Sequence, residues 1–141
     1  MSAADFPVVI YHNPSCGTSR NVLAMIRAAG YEPTVVEYLK TGWTAERLRE
    51  LSREAGLTFH ALMRTRGAPA EELGLTGEGV TEDQILEAMI AHPILVNRPL
   101  VATPRGAKLC RPSEVVFDLL DRHPDSFTKE DGEVVDLAAR G

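Results

Sequence analysis

The sequence predicts a single α/β domain over residues 1–141, in which a βαβ unit and a ββα unit are separated by a helical block. Three observations predict it. Two strand-like runs flank a helical pattern in the first 40 residues, helix signals fill about residues 44–91, and two more strand-like runs precede a final helix start. With 141 residues, 44% of them apolar and 25% charged, the chain has the size and composition of one folded domain.

The βαβ unit is predicted from the alternation of two kinds of pattern. The β-branched and aromatic runs PVVIY at 7–11 and TVVEYL at 34–39 are typical of strands. Between them, residues 18–29 carry apolar side chains at helical spacing, namely Val22, Leu23 and Ile26. Strands joined by a crossover helix pair in parallel, so we expect a parallel sheet.

The helical block is predicted from its caps and its apolar periodicity. Thr44 is suited to capping a first helix, and FHALMR at 59–64 forms a short apolar helical segment. Thr81 and Gln84 have the spacing of a capping box ahead of a further amphipathic helix. The glycine and proline residues within 67–79 predict a connection at the surface.

The ββα unit follows the helical block. Residues 94–104 are strand-like but interrupted by Pro99, and residues 107–110 form a short antiparallel partner. Pro112 stands where the first residue of a last helix is expected. The polar tail from Pro124 is predicted to be either helical or disordered. Without the helical block, the order βαβ–ββα is the thioredoxin-like arrangement.

Composition disfavours several classes of protein. The net charge of -5 argues against a non-specific nucleic-acid binder, and no apolar run approaches the roughly 20 residues that span a bilayer. The first residues show no basic segment ahead of an apolar stretch, so we expect a cytoplasmic protein rather than a secreted or membrane protein. Cys16 and Cys110 form no Cys-x-x-Cys, which predicts free thiols and no metal site.

Cys16 is the strongest candidate for chemistry. It lies between the first strand and the first helix, where backbone N–H groups and the positive helix end favour the thiolate. Ser19 replaces the second cysteine of a Cys-x-x-Cys, so a redox cycle needs an outside thiol. His12 either supports the thiolate by charge or hydrogen bonding or is a structural strand-end histidine. Thr18 and Ser19 either bind an anion or cap the helix.

Several arginines are candidate anion ligands, because a guanidinium offers paired donors to oxyanions. Arg98 interrupts an apolar run, Arg111 precedes the last helix, and Arg64, with Arg66 close by, follows a short helix. Each one alone is more often a solvated charge, and a joint clamp requires the fold to bring them together. Cys110 is predicted to be a buried structural thiol.

Three segments resemble the glutaredoxin-dependent arsenate reductases: YHNPSCGTSRN at 11–21, HPILVNRPLVATPRGAKLCRPSEVV at 92–116 and KEDGE at 129–133. The similarity runs over nearly the whole chain, including the helical block. The resemblance implies a thioredoxin-like fold with a helical insertion and a cis peptide bond between Arg98 and Pro99. It also implies reduction of arsenate to arsenite, with glutathione as co-substrate, glutaredoxin as partner, and no bound cofactor or metal.

The resemblance further implies residue roles. Cys16 would be the nucleophile that attacks arsenate, and His12 would support its thiolate. Arsenate and its adducts would be bound by three arginines and by the start of the first helix, namely Arg64, Arg98, Arg111, Gly17, Thr18 and Ser19. Arsenate is a tetrahedral oxyanion, so a local pocket of arginines in an acidic protein suits it.

Two other functions compete with this one. The first is a monothiol glutathione-dependent oxidoreductase acting on disulfides, which has little need of several converging arginines. The second is a redox-sensing regulator of the same fold that docks on RNA polymerase. Such regulators use a Cys-x-x-Cys switch, and Ser19 stands at its second position here.

Overall fold

The structure, a computed structural model, describes residues 6–138 and divides the chain into two compact units. Over the described residues, the first comprises 6–37 and 98–138, and the second comprises Tyr38–Asn97. The first unit therefore assembles the predicted βαβ and ββα segments, and the second contains the predicted helical block. The single-domain organisation stays a prediction, and each unit is described by itself.

The first unit is built on a four-stranded sheet of order β2-β1-β3-β4. Strand β1 (Val9–Tyr11) pairs in parallel with β2 (Thr34–Val36), and helix α1 (Gly17–Ala28) connects them. The predicted βαβ unit is thus confirmed. The second strand ends three residues earlier than predicted, because the chain turns at Tyr38, whose buried ring stacks on Trp43.

The ββα half completes the same sheet. Strands β3 (Leu100–Thr103) and β4 (Gly106–Leu109) form an antiparallel hairpin, and β3 also pairs antiparallel with β1. The last predicted helix is a 3₁₀ helix, Ser113–Leu119, with Pro112 as the residue before it rather than within it. The Arg98–Pro99 peptide bond is cis, as the resemblance implies, and so is the Arg111–Pro112 bond.

An apolar core lies between the sheet, helix α1 and the 3₁₀ helix. Its fully buried members come from all of these elements: Ile10, Val22, Met25, Ile26, Val101, Cys110 and Val116. The predicted helical spacing of Val22 and Ile26 thus places the apolar side of α1 on the sheet. Helix α1 begins directly after the loop that carries Cys16.

The tail is neither helical nor disordered over its described part. Strands β5 (Ser126–Thr128) and β6 (Val134–Asp136) form an antiparallel hairpin, joined by residues 129–133. The expectation of helix or disorder was wrong because the polar composition of the tail hides an alternation of apolar and polar side chains. Phe127 and Val135 pair across the hairpin and pack against the core, while their neighbours are exposed.

The second unit is mostly helical. Its α-helices are α2 (Tyr38–Thr41), α3 (Ala45–Ala55), α4 (Phe59–Leu62) and α5 (Glu82–Ala91), and a 3₁₀ turn follows at Pro93–Leu95. The predicted caps are confirmed: the Thr44 hydroxyl accepts from the Arg47 N–H, and Thr81 and Gln84 form both bonds of a capping box. Residues 67–79 form turns.

The predicted long strand at 94–104 is present only from Leu100 onward. The backbone before it is engaged within the second unit. The Leu95 carbonyl accepts from the Arg64 N–H at 2.7 Å, and the Asn97 N–H donates to the Leu62 carbonyl at 2.7 Å. Over residues 6–138, no helix is both long and apolar enough to cross a membrane.

Candidate active site at the start of helix α1

Cys16 occupies the N-cap position of α1, with extended backbone angles and only 7% of its surface exposed. A tight turn leads into it: the Cys16 N–H donates to the Asn13 carbonyl at 3.0 Å, and the Ser15 N–H donates to the Asn13 side chain at 2.9 Å. The Cys16 carbonyl then accepts from the Arg20 N–H at 3.0 Å. The first unit therefore fixes the cysteine at the N-terminal end of α1. The first backbone N–H groups of a helix have no acceptor within the helix, so they can donate to a group at this end.

The environment of Cys16 favours its thiolate. Burial alone would raise the pKa of Cys16, but other contacts outweigh it and the pKa lies below the ordinary value. The lowering comes from the Ser19 N–H, the charge of Arg98, a hydrogen bond from Arg111 and the Thr18 N–H. This direction agrees with a helix-start thiolate supported by arginines, and the catalytic role of Cys16 stays a prediction.

Two of the three predicted arginines, Arg98 and Arg111, lower the pKa of Cys16. Arg111 places Nη1 3.9 Å from Cys16 Sγ, and the same nitrogen donates to the Arg98 carbonyl at 3.1 Å. Arg98 precedes β3 and Arg111 follows β4, so the hairpin brings both to one end of the sheet. The antiparallel pairing of Tyr11 with Leu100 places the cysteine loop, which follows β1, at that same end.

His12 reaches the cysteine through Ser19. Its Nδ1 lies 2.7 Å from the Ser19 hydroxyl, which also accepts from the Asn13 N–H at 3.0 Å. All three residues are buried. Burial lowers the pKa of His12, and the charges of Arg27 and Arg20 add to this while Glu37 opposes it. The bond of His12 is made to the Ser19 hydroxyl, and its support of the thiolate stays a prediction.

Arg64 belongs to the second unit, where it is half-buried. Its Nε donates to the Arg66 carbonyl at 2.7 Å, and its N–H donates to the Leu95 carbonyl. The neighbouring Gly67 has a φ of +69°, and a Cβ there would lie 2.6 Å from an Arg64 guanidinium nitrogen. The role of Arg64 toward arsenate stays a prediction.

Cys110 differs from Cys16 in the direction of its pKa shift. It is fully buried in the core of the first unit, and desolvation raises its pKa to about 12. This confirms the predicted buried thiol. Among residues 6–138, no group of three or more His, Cys, Asp and Glu side chains is arranged to hold a metal ion.

Sequence reasoning did not identify the contact between Arg20 and Glu130. The guanidinium of Arg20 binds both carboxylate oxygens of Glu130, at 2.7 and 3.1 Å, and donates to the Pro14 carbonyl at 2.8 Å. The two residues are 110 positions apart, and local patterns carry no signal for such a contact. The segment KEDGE was the one available indication, since it contains Glu130.

Comparisons with known proteins identify the family of this chain. The model of the ArsC family matches residues 11–119. The chain is 60% identical over 129 residues to the arsenate reductase ArsI2 of Synechocystis, covering 91% of this chain and 92% of the relative. It is 54% identical over 129 residues to an arsenate reductase of Escherichia coli, covering 91% and 92%.

A solved structure has the same fold. The arsenate reductase from Vibrio cholerae superposes with a TM-score of 0.78 at 38% identity, covering 82% of this chain and 98% of that one. The predicted fold class and the resemblance are thereby confirmed. From the family match, the identities and the shared fold, we conclude that this chain belongs to the ArsC family, and that its relatives named above are arsenate reductases.

Proposed function

We propose that this ArsC-family protein reduces arsenate to arsenite, with Cys16 as nucleophile and with glutathione and glutaredoxin as the source of electrons. The observation that carries the proposal is the placement of Cys16 at the start of α1 with Arg111 Nη1 3.9 Å from its sulfur. A thiol whose pKa is lowered and that lies beside a guanidinium can both attract an oxyanion and attack it as the thiolate. The identity of 54–60% to arsenate reductases supports arsenate as the substrate.

Binding would use the groups that already stabilise the thiolate. The N–H groups of Thr18 and Ser19 and the guanidinium of Arg111 donate toward Cys16, and the charge of Arg98 acts on it. An arsenate oxygen entering here meets the same donors, because an oxyanion and a thiolate demand the same electrostatic environment. We include Arg64 and Gly17 as further substrate-binding residues on the strength of the family motif.

The first step would be attack of the Cys16 sulfur on arsenic. A sulfur–arsenic bond forms, and one arsenate oxygen leaves as water after protonation, so arsenic remains pentavalent. The thiol of glutathione then replaces a second oxygen in the same way. His12 serves this step indirectly, because its bond to the Ser19 hydroxyl holds the loop and the helix start together.

The second half would be the reduction. A glutaredoxin thiolate attacks the glutathione sulfur, and the electron pair of the broken sulfur–arsenic bond passes to arsenic, which becomes trivalent. Hydrolysis of the remaining sulfur–arsenic bond releases arsenite and frees Cys16. No resolving cysteine follows Cys16, because Ser19 holds that position, and this is why an outside thiol is required. We place the protein in the cytoplasm, where reduced glutathione is available.

The test is a coupled assay with purified protein, glutathione, glutathione reductase, glutaredoxin and NADPH. We expect NADPH oxidation that depends on both arsenate and glutaredoxin. Turnover without glutaredoxin would contradict the proposed route, and absence of turnover with both would contradict the proposed function. A disulfide substrate tested in parallel separates the monothiol oxidoreductase, because Arg98→Ala should spare disulfide reduction and impair arsenate turnover.

A further inference from the structure

We propose that Glu130, acting through Arg20, is a positioning residue for the loop that carries Cys16. The inference rests on the proposed function for the role of Cys16 as nucleophile. It assigns a purpose to the segment Lys129–Glu133, the turn of the tail hairpin. This turn lies against the start of α1 and takes no part in the chemistry described above.

The turn is fixed to α1 by its backbone as well as by its side chain. The Glu130 N–H donates to the Asn21 side chain at 3.0 Å. The turn is closed by two bonds, from the Lys129 N–H to the Glu133 carbonyl at 2.8 Å and from the Gly132 N–H to the Lys129 carbonyl at 2.9 Å. The Glu130 carboxylate is therefore presented from a closed turn rather than from a free chain end.

Arg20 links that carboxylate to the cysteine loop through its contact with Pro14, ahead of Cys16. Its guanidinium donates to the Pro14 carbonyl two residues before the cysteine, and its backbone N–H donates to the Cys16 carbonyl. Pro14 and Ser15 are exposed, and proline has no N–H with which to anchor itself. The two bonds that Arg20 donates to Glu130 fix the plane of the guanidinium, so its remaining bonded nitrogen, Nη1, points at the Pro14 carbonyl.

Gly17, the first residue of α1, permits this close approach. A Cβ at Gly17 would lie 3.2 Å from a carboxylate oxygen of Glu130 and 3.7 Å from an Arg20 nitrogen. The ion pair thus lies directly over the residue that follows the nucleophile. A larger residue there would press against the pair.

The pair is not expected to act mainly through stability. Its side chains are 45% and 46% exposed, and exposed ion pairs contribute little to unfolding free energy. Helix α1 offers a matched pair for comparison. Near its other end, Arg27 binds Glu32 at 3.2 Å, also with two guanidinium nitrogens and with greater exposure, and neither residue contacts the cysteine loop in those bonds.

The experiment compares Glu130→Gln with Glu32→Gln. The readouts are the rate of Cys16 alkylation by iodoacetamide as a function of pH, and kcat and KM for arsenate. If Glu130 positions the loop, its loss moves Cys16 away from the helix-start donors and raises the thiol pKa by about 0.5, a factor of about 3 in ionisation. We expect kcat to fall about threefold to tenfold, with KM changed less than about twofold. Glu32→Gln should leave both readouts unchanged.

The sign of the pKa change decides the proposal. A carboxylate that acts only as a nearby negative charge would disfavour the thiolate, so its removal would lower the Cys16 pKa. A lowered or unchanged pKa in Glu130→Gln overturns the positioning role. Alkylation requires no arsenate turnover, so this outcome is distinct from a failure of the proposed function.

A double-mutant cycle tests whether Glu130 acts through Arg20. If it does, Arg20→Gln combined with Glu130→Gln should alter kcat and the thiol pKa no more than Arg20→Gln alone. Effects that multiply would show that Glu130 acts independently of Arg20 and would overturn the proposal. Equal melting temperatures of the variants would confirm that the changes arise at the site.

Discussion

Cys16 and Cys110 are the same side chain in the same unit, and their surroundings give them opposite properties. Cys16 lies at a helix start, where N–H groups and two arginines outweigh the cost of burial and lower the pKa. Cys110 lies in the apolar core with its sulfur 3.7 Å from the Lys108 carbonyl, and burial raises the pKa to about 12. Burial opposes the thiolate at both positions, so the difference arises from donors and positive charges.

The largest effect is expected from exchanging each sulfur for oxygen. Cys16→Ser should reduce arsenate-dependent NADPH oxidation at least about a thousandfold, because a serine hydroxyl is not ionised at this site. Cys110→Ser should retain most of the activity per folded molecule. Substantial turnover by Cys16→Ser in the coupled assay would remove Cys16 as the nucleophile.

Alkylation should separate the two thiols next most strongly. With a pKa of about 12, the ionised fraction of Cys110 at pH 7 is about 10⁻⁵, whereas a thiol of pKa below 9 exceeds about 10⁻². Iodoacetamide should therefore label Cys16 alone in the folded protein, as read by peptide mass spectrometry.

The pH dependence of that labelling has a definite sign. Acidification protonates the thiolate, so the rate should fall as pH drops through the Cys16 pKa. Because that pKa is lowered, the fall should occur at lower pH than for an unperturbed cysteine. Labelling of Cys110 at a similar rate would contradict the comparison.

Removing one positively charged residue near each cysteine should sharpen the contrast between the two thiols. Arg98→Ala should raise the pKa of Cys16 and reduce arsenate turnover about a hundredfold to a thousandfold, the usual range for losing one oxyanion-stabilising donor. Lys108→Ala is the matched control, because the Lys108 charge acts on Cys110. It should leave turnover unchanged. Equal losses in both variants would indicate a general charge effect rather than a site.

The smallest effect is expected from the buried hydroxyl beneath the site. Ser19→Ala leaves the Asn13 N–H and His12 Nδ1 without this partner and should cost about 1–3 kcal/mol of unfolding free energy. The Ser19 N–H is retained, so the pKa of Cys16 should rise by no more than about 0.5. Urea unfolding and alkylation measure the two quantities.

Ser113→Ala provides the control for that variant. Ser113 is also buried, and its hydroxyl bonds to Glu114 rather than to the cysteine loop. It should lose stability without moving the Cys16 pKa. A shift of that pKa in Ser113→Ala, or none of the expected stability loss in Ser19→Ala, would contradict the assigned role of Ser19.

Local chemistry made much of the fold predictable. The caps at Thr44 and Thr81 depend on residues three positions apart, and the apolar side of α1 depends on a period of 3.6 residues. The length of the second strand and the tail hairpin were not predicted correctly. Both depend on packing, of the Tyr38 ring in one case and of Phe127 and Val135 in the other.

The site divides in the same way. The sequence by itself predicted Cys16 as the reactive thiol, because a cysteine between a strand and a helix start has donors supplied by its immediate neighbours. Only the tertiary structure placed Arg111 beside the sulfur and paired Glu130 with Arg20. Those contacts join residues about a hundred positions apart, and their distances are set by strand pairing and core packing, which no local pattern records.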